Sequence, residues 1–211
     1  VAGHRVSAQA RLRAGLTAAA LALLPTASYA HLVNTGLGPF YDGVSHFALT
    51  PEDFLVALAL SLLAGQRGAQ AGRWALFALP AAWLAGGLSG LALPTAAAAT
   101  ALSTLSFLAL GALVAAEARL PPVWIAGLAT VVGALHGYLN GSAMSQARLG
   151  SLGVLGIVLT LFATVALAAA MVVAIRRPAA RIAIRVAGSW IAAIGLLQLG
   201  WSLRATAAMS P

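Results

Sequence analysis

From residue 54 to residue 203 the chain is a succession of apolar runs, most of them long enough to cross a bilayer, broken by short arginine-bearing loops. A helix needs roughly 20 apolar residues to span about 30 Å of hydrocarbon, and no soluble core needs apolar surface on this scale. With 61% hydrophobic and 8% charged residues and a mean hydropathy of +0.95, the chain reads as all-α, a polytopic membrane helix bundle. Spans are expected at 54–65, 74–93, 96–116, 122–142, 152–175 and 184–203, six after an N-terminal signal peptide. The first covers only about two-thirds of the hydrocarbon thickness. Its acidic start, Glu52 and Asp53, is therefore expected to dip below the membrane surface.

Residues 1–30 carry the marks of a secretory signal peptide: Arg5, Arg11 and Arg13, an apolar run over 16–24, a breaker at Pro25 and the small-residue pattern Ser28-Tyr29-Ala30. Cleavage after Ala30 would start the mature chain at His31. The domain reading is a signal peptide at 1–30, a periplasmic His/Asp-rich segment at 31–53 and a six-helix transmembrane domain at 54–211. Placing the mature N-terminus outside assigns Arg67, Arg73, Arg119, Arg176, Arg177, Arg181 and Arg185 to the inner side and leaves Arg148 and Arg204 outside. This asymmetry is the positive-inside pattern and supports that orientation; the expected location is a bacterial inner membrane, with the mature N-terminus periplasmic. The arginine excess, with a formal charge of +8, is thereby explained without nucleic acid.

Absent residue types narrow the chemistry. The chain has no cysteine, which removes disulfides, thiolate metal sites and thiol nucleophiles. Met144, Met171 and Met209 are scattered, so no thioether path for Cu(I) is built. No phosphate-binding loop of the G-x-x-x-x-G-K-[ST] kind is present, so ATP is not consumed by this polypeptide itself. What remains is nitrogen and oxygen chemistry, and it is concentrated: residues 31–53 hold two of the four histidines and three of the four acids.

Within that stretch His31, Asp42, His46, Glu52 and Asp53 precede the first span. Thr50-Pro51-Glu52-Asp53 reads as a helix start, with Thr50 as N-cap, Pro51 at the first position and two acids in the first turn. Asp42 and His46 are four residues apart and share a face if that segment is helical, against which Gly43 argues. In the fourth span His136 and Asn140 are also one turn apart, in the outer half, beside Gly133, Gly137 and Gly141. With Gly86 and Gly90 in the second span, this small-residue spacing favours close helix packing. Imidazole and carboxylate suit divalent nickel, cobalt, zinc, iron or copper. Ionisable groups at membrane depth point to function, so His31, Asp42, His46, Asp53 and His136 form the candidate metal set. Glu52 and Asn140 are secondary polar residues.

Two stretches carry a family resemblance: His46-Phe47-Ala48-Leu49-Thr50-Pro51-Glu52-Asp53 and His136-Gly137-Tyr138-Leu139-Asn140-Gly141. They resemble the H-P-x-x-G-x-D-H and H-G-x-x-H-G motifs of the HupE/UreJ family of bacterial nickel or cobalt permeases, and more closely its divergent second branch. Glu52-Asp53 stands where the family has Asp-His, and Asn140 stands where it has a second histidine. Fewer imidazoles soften a preference for nickel. The resemblance implies ATP-independent secondary uptake of a divalent metal and no enzyme activity. The metal is cargo: nickel or cobalt first, with copper, zinc or iron as alternatives, and no cofactor is permanently bound.

On this reading His31, Asp42 and His46 capture the ion at the periplasmic mouth and Asp53 and His136 form the next station. The membrane potential supplies roughly 2.3 kcal/mol per charge per 100 mV, so an inward-moving dication gains about 4.6 kcal/mol. Two other classes compete. One is a non-transporting membrane metal-binding or accessory subunit, and the glycine faces leave room for a membrane partner or a second copy. The other is a rhomboid-like intramembrane protease, suggested by Gly87-Leu88-Ser89-Gly90 with Ser89 as nucleophile and His136 as base.

Overall fold

The computed structural model describes residues 34–93, 97–175 and 177–209. The expected signal peptide and His31 lie outside them. Among the described residues there are seven helices and no strand: α1 (Pro39–Leu49), α2 (Pro51–Gln66), α3 (Ala69–Ala92), α4 (Ala97–Ala115), α5 (Pro122–Gln146), α6 (Gly150–Ala174) and α7 (Pro178–Met209). The starts follow local chemistry. Pro51 opens α2 behind Thr50, with Glu52 and Asp53 in the first turn, and Pro122 opens α5, because proline lacks an N–H that this position would leave unpaired anyway. Thr50 holds the N-cap position, but its hydroxyl makes no capping bond.

Four helical segments are each long and apolar enough to cross a membrane: Ala69–Ala92, Pro122–Gln146, Gly150–Ala174 and Pro178–Trp201. The expected first span takes a different form. α1 and α2 meet at 71° across Thr50, and only as a bent pair do they count as a fifth span or a re-entrant segment. α4 contributes a shorter described apolar stretch, Leu102–Ala115. The chain is thus a multi-pass membrane protein, with a helix at each of the six expected stretches and four to five candidate spans among the described residues. Residues 39–49, read from the sequence as part of the segment outside the membrane, form a further helix against α6. Gly43 does not break it. A Cβ there would sit 2.1 Å from the carbonyl oxygen of Gly153, so glycine is what lets α1 reach α6.

α3 and α5 are the most extensively packed pair, and they run parallel. Their contact is the glycine ridge read from the sequence: a Cβ on Gly86 would lie 2.2 Å from Ala134 O, on Gly90 2.1 Å from Tyr138 O, and on Gly141 2.0 Å from Gly87 O. Lipid offers no hydrophobic drive between helices, so this backbone approach, with its dispersion contacts, holds the pair. α6 packs across α3, α2 and α1, while α7 leans chiefly on α4. Trp74, Trp124, Phe77, Leu167, Trp190 and Leu197 remain exposed, as expected of a surface that meets lipid.

Because the helices alternate in direction, Arg67, Arg73, Arg119, Arg177, Arg181 and Arg185 fall at one end of the bundle and Arg148 and Arg204 at the other. α1 and the first turn of α2 belong to the arginine-poor end. Everything that positions the site follows from this: one acid-bearing helix start, α2, is inserted beside the tightly joined α3–α5 pair.

Candidate functional site

Asp53 faces inward from the first turn of α2 and is 5% exposed. Its carboxylate reaches α5. Oδ1 lies 2.8 Å from His136 Nδ1, and Oδ2 accepts a 2.9 Å hydrogen bond from Asn140 Nδ2. The one-turn spacing of His136 and Asn140 is what allows both to reach the same carboxylate. Placing them 83 and 87 residues from Asp53 in sequence, the fold assembles a buried Asp–His–Asn cluster. His136 is 1% exposed and Asn140 4%. From the end of α5 at Gln146, His136 lies about 15 Å in.

Two further residues complete the cluster. Ser106 Oγ on α4 is 2.9 Å from His136 Nε2 and also within 2.7 Å of the Ser103 carbonyl. The hydroxyl has one proton and two acceptors in reach, so it can release Nε2 without being left unsatisfied. Trp83 on α3 is fully buried, with its ring 5.4 Å from that of His136 and tilted by 35°. Phe47 of α1 packs edge-on against Trp83 at 6.1 Å, so an aromatic contact chain connects α1 to the imidazole.

The hydrogen bonds fix the Asn140 amide. Its nitrogen donates to Asp53 Oδ2 and to the His136 carbonyl at 2.8 Å. Both partners are acceptors, so the amide cannot be flipped. Oδ1 of Asn140 is thereby left buried without a hydrogen bond, and so is Nε1 of Trp83. Buried polar atoms are nearly always paired, and an orphaned acceptor beside a carboxylate and an imidazole has the chemistry to receive a cation or its water.

The remaining candidates are placed elsewhere. Asp42 Oδ1 accepts hydrogen bonds from the Thr35 amide (2.7 Å) and hydroxyl (2.6 Å), tying the preceding turn to α1. His46 lies on the same buried face of α1 as Asp42. Glu52 accepts a hydrogen bond from Gln198 of α7. Among the described residues, no group of three or more His, Cys, Asp or Glu is gathered closely enough to hold a metal ion. The expected convergence on one mouth is therefore realised only for Asp53, His136 and Asn140. His31 lies outside the described residues.

The protease pairing is not formed. Ser89 donates to Gly86 O within its own helix, and the serine at His136 is Ser106. The order Ser106–His136–Asp53 matches an acyl-transfer triad, but that chemistry also needs N–H donors aimed at an oxyanion. Ser106 sits inside α4, where helical hydrogen bonding already engages the backbone N–H groups. Sequence reasoning missed Ser106 and Trp83. The trio Ser103, Thr104 and Ser106 in an otherwise apolar run was the available signal for the first; nothing marked Trp83 among five tryptophans.

A family model described as HupE / UreJ protein matches residues 19–198, which include every described member of the cluster. No curated protein and no solved structure matches. With a buried Asp–His–Asn cluster set in a multi-pass helical bundle, and a family match over most of its length, the chain belongs to the HupE/UreJ family, a transporter-type family associated with nickel and cobalt.

Proposed function

We propose that the protein carries a divalent transition metal ion, nickel or cobalt first, across the bacterial inner membrane without ATP, by way of His136. The observation that carries this reading is the wiring of the imidazole. Nδ1 is held by Asp53 at 2.8 Å, the carboxylate–histidine arrangement that orients a ring and raises its basicity for metal binding at the other nitrogen. That other nitrogen, Nε2, meets a serine hydroxyl, which has the Ser103 carbonyl as an alternative partner. A cation can take Nε2 in exchange for Ser106, and Asn140 Oδ1 is a second buried acceptor of the cluster without a hydrogen bond. Asp53 supplies the negative charge that a buried dication requires.

The sparse ligand set supports passage over storage. Conduction requires binding favourable enough to admit the ion and weak enough to release it. A site with one imidazole, one amide oxygen and one orienting carboxylate meets that condition better than a closed three-histidine cage. Asp42 and His46 on α1 lie upstream as the capture residues, with α1 in contact with the site through Phe47. The positive-inside rule supports an orientation with the arginine-rich end in the cytoplasm and the Asp53 end outside.

The test is flux into liposomes that contain only this protein, with an inside-negative potential and external nickel, cobalt or zinc. Potential-driven accumulation that disappears in a His136→Gln, Asp53→Asn double variant is the expected result. Metal retention by the purified protein without flux would instead assign it the role of an accessory subunit. Flux that is unchanged in the double variant would overturn the assignment of the path.

A further inference from the structure

At the arginine-rich end a second polar feature has no part in the metal path. Gln66 and Arg67 end α2, about 20 Å along that helix from Asp53, and open onto a cavity of about 490 Å³. Glu117, Arg181 and the apolar side chains of Val172 and Ile184 complete its wall. Arg67 is the anomaly. Its side chain is 17% exposed, and its ion-pair partner among the described residues is Glu117, at 4.0 Å. Its Nε is buried with no hydrogen bond, and so is the Oε1 of Gln66. Guanidinium carries five donors in a rigid fork, and leaving even one of them unpaired out of water is costly.

Glu117 does not cure this. Its carboxylate is hydrogen-bonded by Arg181, and Arg185 is occupied by the Ala115 carbonyl at the end of α4. Two guanidinium groups thus line the cavity against one carboxylate. The excess positive charge repels a dication and suits an anion with several acceptor oxygens. One wall, however, is aliphatic, and Val173 on it is exposed toward the outside of the bundle. A free inorganic ion makes no use of such a wall. A phosphodiester attached to acyl chains uses both.

We propose that this cavity binds the phosphate of an anionic membrane lipid, with Arg67 and Arg181 as its ligands and the Val172–Ile184 wall against its glycerol and upper acyl carbons. Basic pockets between helices at a cytoplasmic surface are suited to such headgroups. Bound lipid would join α2, the α4–α5 turn, the end of α6 and the start of α7 at one point.

The test is native mass spectrometry of the full chain released from detergent, after incubation with phosphatidylglycerol, phosphatidylcholine or inorganic phosphate. Retention of phosphatidylglycerol in preference to phosphatidylcholine is expected. Arg67→Gln should reduce it about tenfold, as expected for one lost charge-assisted hydrogen bond. Arg119→Gln, on the same end but not lining the cavity, should leave it unchanged. Because Arg67→Gln can also act through folding, Glu117→Gln provides the opposite arm: removing the competing carboxylate should strengthen retention. Equal retention of both lipids, indifference to both cavity variants, or full displacement of phosphatidylglycerol by inorganic phosphate would overturn the proposal, the last by identifying a soluble anion as the ligand.

Discussion

Replacing Gly137 by alanine tests whether the site depends on the α3–α5 contact. The added Cβ would lie 2.2 Å from the carbonyl oxygen of Trp83 and 2.8 Å from its carbonyl carbon. These are backbone atoms, so no side chain can rotate away. Restoring van der Waals distance requires the helices to part by about 1 Å, and a gap of that size forfeits a quarter to a half of each affected dispersion contact. Overpacking of this kind costs about 1–3 kcal/mol, or about 2–4 °C in unfolding temperature per kcal/mol for a chain of this size. The same shift carries His136 and Asn140 away from Asp53. Hydrogen bonds of 2.8 and 2.9 Å do not survive an added ångström. Gly127→Ala is the control on the same helix, since its Cβ meets nothing within 4 Å. Thermal unfolding in detergent and nickel flux in liposomes, measured together, should show both lowered in Gly137→Ala and neither lowered in Gly127→Ala. A Gly137→Ala protein with wild-type unfolding temperature and flux would rule out this dependence.

Other substitutions address the cluster and the arginine-rich end. Asp53→Asn keeps the shape but points an NH₂ at a donor: if its oxygen accepts from His136 Nδ1, its nitrogen opposes Asn140 Nδ2, costing about 1–3 kcal/mol in thermal unfolding and abolishing flux. Ser106→Ala removes the group at Nε2 that the metal is proposed to displace, so nickel retention on equilibrium dialysis should hold or rise; a loss would make Ser106 a ligand. Glu117 lies in the α4–α5 turn, outside the spans, and the hydrogen bond from Arg181 holds its carboxyl below the ordinary 4.5, with partial burial opposing. A folded value below the unfolded one means that the stabilisation is present above pH 4.5 and is lost as pH falls through the folded value. The unfolding-temperature gap between wild type and Glu117→Gln should therefore close on acidification.

Much of this was legible in the sequence because membrane constraints are coarse and local. Apolar runs gave the helical class, and glycine spacing gave the α3–α5 ridge at Gly86, Gly90, Gly133, Gly137 and Gly141. The i, i+4 spacing of His136 and Asn140 was by itself enough to place both on one helix face. Sidedness then suggested Asp53 as a neighbour, and the two meet at 2.8 Å. Less legible was the bend at Thr50. Hydropathy assigns an apolar helix but not whether it crosses the membrane or folds back, and residues 39–49 were set apart from the bundle on their polar content. Asp42 and His46 accordingly share a buried face of α1, where the sequence offered only their common spacing. Ser106 and Trp83 were missed for a different reason. Their partners lie on other helices, and lateral helix contacts leave no periodic trace in a single sequence.

The proposed path stands or falls on the metal binding His136 at Nε2 while Asp53 holds the ring. Nickel-edge X-ray absorption on the purified, nickel-loaded protein measures this, since imidazole ligation gives a multiple-scattering signature that oxygen ligands lack. One imidazole in a shell otherwise made of oxygen is expected in a His46→Gln background, and its loss is expected when His136→Gln is added with the fold intact. An imidazole signature that persists in the double variant, or a shell of oxygen alone while His136 is present, would show that the ion is held elsewhere.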